Sequence, residues 1–228
     1  MGLRTAFDVH PVAGQTTDEM VRHWAAAFRE FAPTLKQTGW YEAYLKSGAP
    51  TRVQQMRLTL RRVGIESVEH AANLSDAYME ARDIALSLFP DALALLDHLR
   101  AKYPMGLITN GPADIQRQEI ETLGLEPYFQ HIFIEGEVGE GKPLASVFKR
   151  AEKAVGCEPH ELVFIGNSYD HDIAPAIAAG WHTVWIRRES DVPPSADLEK
   201  EPKPKEKPVG GSDPDAIVDN LAVISSWL

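Results

Sequence analysis

Residues 105–111 read MGLITNG and residues 162–172 read LVFIGNSYDHD, and these two stretches decide the fold. Each is a short apolar run that stops abruptly at small and polar residues. The first closes on Thr109, Asn110 and Gly111; the second closes on Asn167 and Ser168, with Asp170 and Asp172 just beyond. Short apolar runs bounded by turn residues are the pattern of strands buried on both faces. Working outward, residues 132–134 and 183–186 form two more such runs. Helical patterns lie between them, from Gly111 through Leu123, over 144–155 and over 172–179. Upstream, Pro90 stands where the first turn of a helix tolerates it, and Leu93, Leu96 and Leu99 give that helix a buried stripe. Strands alternating with helices at this spacing imply right-handed crossovers and a parallel, Rossmann-like α/β sheet covered on both faces. Residues 216–218 are expected as an edge strand and 221–228 as a closing helix.

Before residue 89 the texture is helical. Thr16, Thr17 and Asp18 open a helix that carries Met20, Trp24, Phe28 and Phe31 on one face. A second begins near Thr51 with Val53, Met56, Leu60 and Val63 inward and Gly64 as its stop. A third spans 67–86 with Leu74, Tyr78, Ala81 and Ala85 inward, and Trp24, Trp40 and Tyr41 are expected in the core of this region. The chain thus divides into a helical domain over 1–88 and an α/β core over 89–228. Within the core, residues 189–213 break the alternation; the stretch EKEPKPKEKPVGGSDPD (199–215) has almost nothing to bury, and 189–213 is expected as a mobile surface loop.

Composition narrows the function classes. A chain of 228 residues with 44% hydrophobic and 25% charged residues is long enough to bury a substantial core. The net charge of −10 argues against a nucleic-acid backbone as the main partner, but a few local donors can still hold a small anion. Cys157 is the single cysteine, so no internal disulfide forms. No apolar run has the length of a signal peptide or membrane span, and a cytoplasmic location without a membrane partner is expected.

In an open parallel sheet, ligands collect at the carboxyl ends of the strands. A hydroxyl (Thr109), an amine (Lys142, in Gly141-Lys142-Pro143), an amide (Asn167) and two carboxylates (Asp170 and Asp172) converge there from separate segments. The ordered series ITNG, GKP, GNSYDHDI and AAGW resembles motifs II, III and IV of the haloacid-dehalogenase superfamily. The text between, QRQEIETLGLEPYFQHIFIEGEVGEGKP, is similar to the branch holding pyrimidine 5′-nucleotidases and N-acylneuraminate-9-phosphatases, and the helical segment before it matches that branch's cap.

The resemblance implies an HAD-like core with a helical cap and a phosphomonoesterase acting on a small phosphorylated metabolite. Thr109 and the backbone amide of Asn110 would donate to phosphoryl oxygens, and Lys142 would neutralise charge. Asn167, Asp172 and Asp170 would hold Mg²⁺, with Gly111 and Ser168 beside the substrate. Two departures weaken that expectation. Asn167 stands where the family's motif IV has an acid, which predicts weak Mg²⁺ binding. The family's first strand, ending in an Asp-x-Asp nucleophile motif, has one candidate here: residues 3–7 followed by Asp8-Val9-His10-Pro11. The favoured expectation is instead that this motif lies upstream of Met1, that the helical cap is incomplete, and that Asp8 sits on a mobile arm. The sheet would then lack its central strand, leaving the neighbours to close up, to pair with residues 3–7 or to associate with another chain. The expected function is accordingly a phosphatase impaired in this form. The alternatives are a non-catalytic HAD-like binding domain and, from the Asn167-to-Asp170 spacing, a 2-haloacid dehalogenase.

Overall fold

A computed structural model describes residues 2–191 and 206–228, which fall into two compact units, 2–87 and 88–191 with 206–228. Much of the expected loop, residues 192–205, lies outside the described residues.

The first unit is helical throughout: α1 (Gly2–Val9), α2 (Thr17–Phe31), α3 (Trp40–Lys46), α4 (Ala49–Arg61) and α5 (Val68–Ala85). Thr16 caps α2 through a reciprocal box with Glu19, and Ser67 caps α5 by accepting from the His70 N–H. The core joins Ala6 and Phe7 of α1, Met20 of α2, Met56 and Leu60 of α4, and Ala71 and Leu74 of α5. Residues 3–7 are therefore neither a central strand nor part of a loose arm. They form a helix whose Leu3, Ala6 and Phe7 fall on one face, and Ala6 and Phe7 are buried. An isolated helix of this length is marginal in water, so its stripe becomes decisive only when another element covers it. In α5 the expected stripe stops short, since Ala85 is exposed and the buried positions are Ala71, Leu74 and Ser75. Trp40 and Tyr41 lie half-buried on α3, with Trp40 edge-on to Phe31 at 6.2 Å.

The second unit alternates strand and helix: α6 (Ala92–Arg100), β1 (Gly106–Thr109), α7 (Ala113–Thr122), β2 (His131–Ile134), α8 (Glu135–Val138), α9 (Ala145–Val155), β3 (Val163–Gly166), α10 (Ala174–Ala179), β4 (His182–Ile186) and β5 (Ala216–Val218). Every pairing is parallel, as the alternation predicts: β1 with β2, β3 with β4 and β4 with β5. The pairings make two sheets, β1-β2 and β3-β4-β5, and no ladder joins β1 to β3 among the described residues. The strands beside the expected gap have therefore neither closed up nor recruited residues 3–7. β4, flanked on both sides, is almost wholly buried, and β5 is an edge.

Three local expectations need correcting. The stripe of α6 is Leu95 and Leu99, while Leu93 is 45% exposed, because the helix starts only at Ala92 and its inward pair is spaced i, i+4. The helix expected over 172–179 is one π turn, Tyr169–Ile173, followed by the short α10. The closing helix is a 3₁₀ stretch, Leu221–Ser226. Residues 206–213 are held by specific bonds: Lys207 donates to the Gly211 carbonyl and pairs with Asp213, and the Tyr169 hydroxyl donates to the Ser212 carbonyl.

Asp91 ties this unit's ends together. Its carboxylate accepts from Arg188 at 2.8 and 2.9 Å and from the Leu221 N–H at 2.7 Å. Burial pushes the Asp91 pKa up, but the Leu221 N–H and the Arg188 guanidinium outweigh it and hold the carboxyl below its usual value. No helix among the described residues is long and apolar enough to cross a membrane.

Candidate functional site

The carboxyl ends of β1, β2 and β3 supply one connected group of side chains. Asn110, directly after β1, makes a two-way clasp with the backbone of Lys142: its Nδ2 donates to the Lys142 carbonyl at 2.6 Å and its Oδ1 accepts the Lys142 N–H at 2.8 Å. Lys142 extends its ammonium to Asp172 beyond β3, with Nζ 2.6 Å from Oδ1 and 5.3 Å from the Phe164 ring centroid. Both partners are largely removed from solvent, at 12% and 5% side-chain exposure. Asp172 Oδ2 accepts the Ser168 N–H at 2.9 Å and so closes the π turn. Oδ1 is buried and receives no aligned hydrogen bond despite the nearby ammonium, so the pair is one of charge rather than of directed donor and acceptor.

Glycines make this closeness achievable. A Cβ on Gly166 would lie 2.5 Å from Asp172 Cβ, and one on Gly141 would lie 2.6 Å from Glu135 Cδ and 2.8 Å from Asn110 Oδ1. Any larger residue at either position would drive the carboxylates and Lys142 apart.

Of the residues expected together from the sequence, Asn110, Lys142, Asp172 and Ser168 are joined by direct contacts, and Thr109 and Gly111 flank Asn110 in the chain. The Thr109 hydroxyl donates to Gln116 Oε1, and the Gly111 N–H donates to Glu135 Oε2 at 3.0 Å. Ser168 Oγ lies 3.2 Å from His171 Nδ1. Asn167 and Asp170 are exposed on the same loop, and the Asn167 carbonyl accepts from the Trp185 indole N–H at 3.0 Å. Asp8 belongs to the helical unit, at the end of α1, where it accepts a hydrogen bond from the Thr17 hydroxyl. Two neighbours escaped the sequence. Glu135 follows the apolar run of β2 and could have been found by the same rule that found Thr109. Gln116 carries no sequence signal, since only the fold of α7 lays it across Thr109.

The donor set does not make a preformed magnesium cage. Mg²⁺ keeps several waters and is held through one or two carboxylates in near-octahedral geometry, and Asp172 is the buried carboxylate of the motif IV loop. One of its oxygens is spent on Ser168 and the other faces an ammonium. No group of three or more His, Cys, Asp or Glu residues suited to a metal occurs among the described residues. A cavity of about 470 Å³ lies elsewhere, at the amino ends of β3, β4 and β5, lined by Val163, His182, Asp215 and Trp227 among others. The Thr183 N–H, aided by His182 against the opposing effect of burial, lowers the Asp215 pKa there.

The sequence matches the family model of haloacid dehalogenase-like hydrolases over residues 5–180, and a related HAD-hydrolase-like model over 139–223. It is 34% identical over 173 residues to a phosphoserine phosphatase of Thermus thermophilus, covering 75% of this chain and 59% of that protein. It is 32% identical over 114 residues to the pyrimidine 5′-nucleotidase YjjG of Escherichia coli, 50% of this chain and 51% of that one. With an N-acylneuraminate-9-phosphatase of Rattus norvegicus it shares 35% identity over 109 residues, 47% of this chain and 44% of the relative. The chain thus spans between about two fifths and three fifths of the length of these relatives. Its fold is similar to that of the putative HAD-hydrolase YfnB of Bacillus subtilis, with a TM-score of 0.71 at 20% identity, covering 100% of this chain and 89% of that one. On the match over residues 5–180, the chain belongs to the haloacid dehalogenase-like hydrolase family.

Proposed function

We propose that this chain is a phosphomonoester hydrolase by descent which retains the phosphate-binding half of its site and turns over poorly in this form. The observation that carries the proposal is Lys142, fixed at its backbone by Asn110 and at its ammonium by Asp172, with the Thr109 hydroxyl at the end of β1, next in the chain to Asn110. A preorganised ammonium, largely removed from water, is a strong electrostatic partner for a phosphoryl group. In this reading a phosphoryl oxygen takes the Thr109 hydroxyl from Gln116, a second approaches Lys142 Nζ, and Asn110 keeps the lysine from following the ligand. The named activities of the relatives, among them phosphoserine phosphatase and pyrimidine 5′-nucleotidase, support a small phosphorylated metabolite as the ligand.

Poor turnover is inferred from the carboxylates in the network. Asp172 is committed to Ser168 and Lys142, and Glu135 accepts from Gly111 inside the loop, so neither presents an oxygen for in-line attack on phosphorus. Mg²⁺ binding is expected to be weak for the reason given by the donor set.

Titration calorimetry with inorganic phosphate, paired with hydrolysis of p-nitrophenyl phosphate with and without Mg²⁺, tests both parts. The expected result is saturable phosphate binding that Thr109→Val weakens about tenfold, the loss of one charge-assisted hydrogen bond, with no Mg²⁺-dependent turnover. Absence of phosphate binding would reject the site, and rapid Mg²⁺-dependent hydrolysis would reject the impairment.

A further inference from the structure

Phosphate capture at this site needs the Thr109 hydroxyl as a donor, yet its proton is already engaged. Thr109 Oγ1 donates to Oε1 of Gln116, in the first turn of α7. The other half of the same carboxamide is engaged as well, because Gln116 Nε2 donates to Glu119 Oε2 at 2.8 Å. Thr109, Gln116 and Glu119 thus form a short relay of side chains, each half-buried. Gln116 also lies close against the loop, since a Cβ on Gly111 would come within 3.2 Å of its Cγ.

The direction of the relay is fixed at its far end. An ionised carboxylate only accepts hydrogen bonds, so Glu119 faces the NH₂ of Gln116. The two residues stand at i and i+3 on one helix, a spacing at which side chains meet. With the nitrogen so held, the carboxamide oxygen is turned to Thr109. A hydroxyl has a single proton to give. Gln116 Oε1 therefore takes the position at Thr109 that a phosphoryl oxygen needs. Turned over, the carboxamide would donate to Thr109 Oγ1 instead and leave the hydroxyl proton for a ligand.

We propose that Gln116, oriented by Glu119, is an internal competitor for the phosphate subsite: its amide oxygen holds the Thr109 proton until a phosphoryl oxygen displaces it. Glu119 is then a positioning residue, acting on affinity only through Gln116. This control rests on the phosphate-binding role proposed for Thr109 and adds what limits it. It also carries a sign of its own. A side chain that merely supports Thr109 weakens phosphate binding when removed, whereas a competitor strengthens it.

Titration calorimetry of the full chain with inorganic phosphate, run as a double-mutant cycle, is the test. Gln116→Ala removes the competing oxygen and keeps a good helix former. Phosphate should bind it about fivefold tighter than the parent, the worth of one neutral hydrogen bond. Glu119→Gln keeps the volume but both gives and accepts, so the Gln116 carboxamide is free to turn and binding should tighten about threefold. Its near-unchanged shape keeps the test open should the Ala variant fold poorly. The double variant should match Gln116→Ala within about twofold, because Glu119 has no path to Thr109 without Gln116. Removal of a nearby negative charge acting by itself would instead add its full gain in the Gln116→Ala background. Unchanged or weaker binding by Gln116→Ala, or additive gains in the double variant, would overturn the competitor while the parent's phosphate binding stands. Binding by none of these proteins would reject the phosphate site itself, and the competitor with it.

Discussion

Replacing Lys142 by Met removes the ammonium and keeps most of the aliphatic stem, so it isolates the charge. The partner left behind is Asp172, at 5% side-chain exposure and with no aligned hydrogen bond on Oδ1. Stranding one half of a buried ion pair costs roughly 3–5 kcal/mol. Lys142 itself is 12% exposed, so some water reaches the pair and the lower end, about 3 kcal/mol, is the expected loss. In urea, with a slope of about 2 kcal/mol per M, this lowers the midpoint by about 1.5 M. Trp185 reports locally, because its indole N–H donates to the Asn167 carbonyl at 3.0 Å. Asp172→Asn alone is also destabilising, since it strands the ammonium, although an Asn oxygen can still accept the Ser168 N–H. The double variant Lys142→Met/Asp172→Asn contains no charge to strand and should recover to within about 1 kcal/mol of the parent, a coupling of at least 2 kcal/mol. A Lys142→Met midpoint within about 0.3 M of the parent, or a double variant as unstable as the summed singles, would refute the buried-pair account.

Gly166→Ala places a methyl 2.5 Å from Asp172 Cβ and should destabilise the core unit by about 1–3 kcal/mol and weaken phosphate binding, both read in one titration series. Gly64→Ala, where nothing lies within 4 Å, should lose only about 1 kcal/mol, through its φ of 79°. The lowered pKa of Asp91 stabilises the fold at pH values above the ordinary aspartate value of about 3.9. That contribution is lost as pH falls through the depressed value, so Asp91→Asn should be less stable at neutral pH and show a shallower acid limb in pH-dependent unfolding. Addition of about 1 mM Mg²⁺ should move the melting temperature by less than about 2 °C, because a site with one committed buried carboxylate gains little by mass action. Asp8→Ala should act on the helical unit alone, costing about 1 kcal/mol through the lost Thr17 partner and speeding exchange in α1.

Much of this chain is written in short-range pattern. The runs ending at Thr109, Ile134, Gly166 and Ile186 mark parallel strands because a strand buried on both faces must be apolar throughout, and that is visible within four or five residues. Thr16 and Glu19 announce α2 by a capping rule that needs no tertiary contact. Thr109, Asn110, Lys142 and Asp172 are likewise legible as polar residues beyond apolar strand runs, where a parallel sheet gathers its ligands.

The remainder depended on which distant segments meet. Residues 3–7, expected as a mobile arm or a strand, are helical because the stripe of Leu3, Ala6 and Phe7 gains meaning only when another core element covers it. Gln116 over Thr109, Glu135 under Gly111 and the exposure of Asn167 and Asp170 are outcomes of packing, not of spacing. The break between β1 and β3 is of the same kind: local propensity makes each strand, whereas the pairing of strands is fixed by long-range hydrogen bonds that no window of sequence contains. The sequence by itself determined a parallel α/β core and its roll of polar strand ends. Only the tertiary structure decided that Lys142 reaches Asp172 across an interrupted sheet, because a backbone clasp and a buried charge pair join residues that are far apart in the chain.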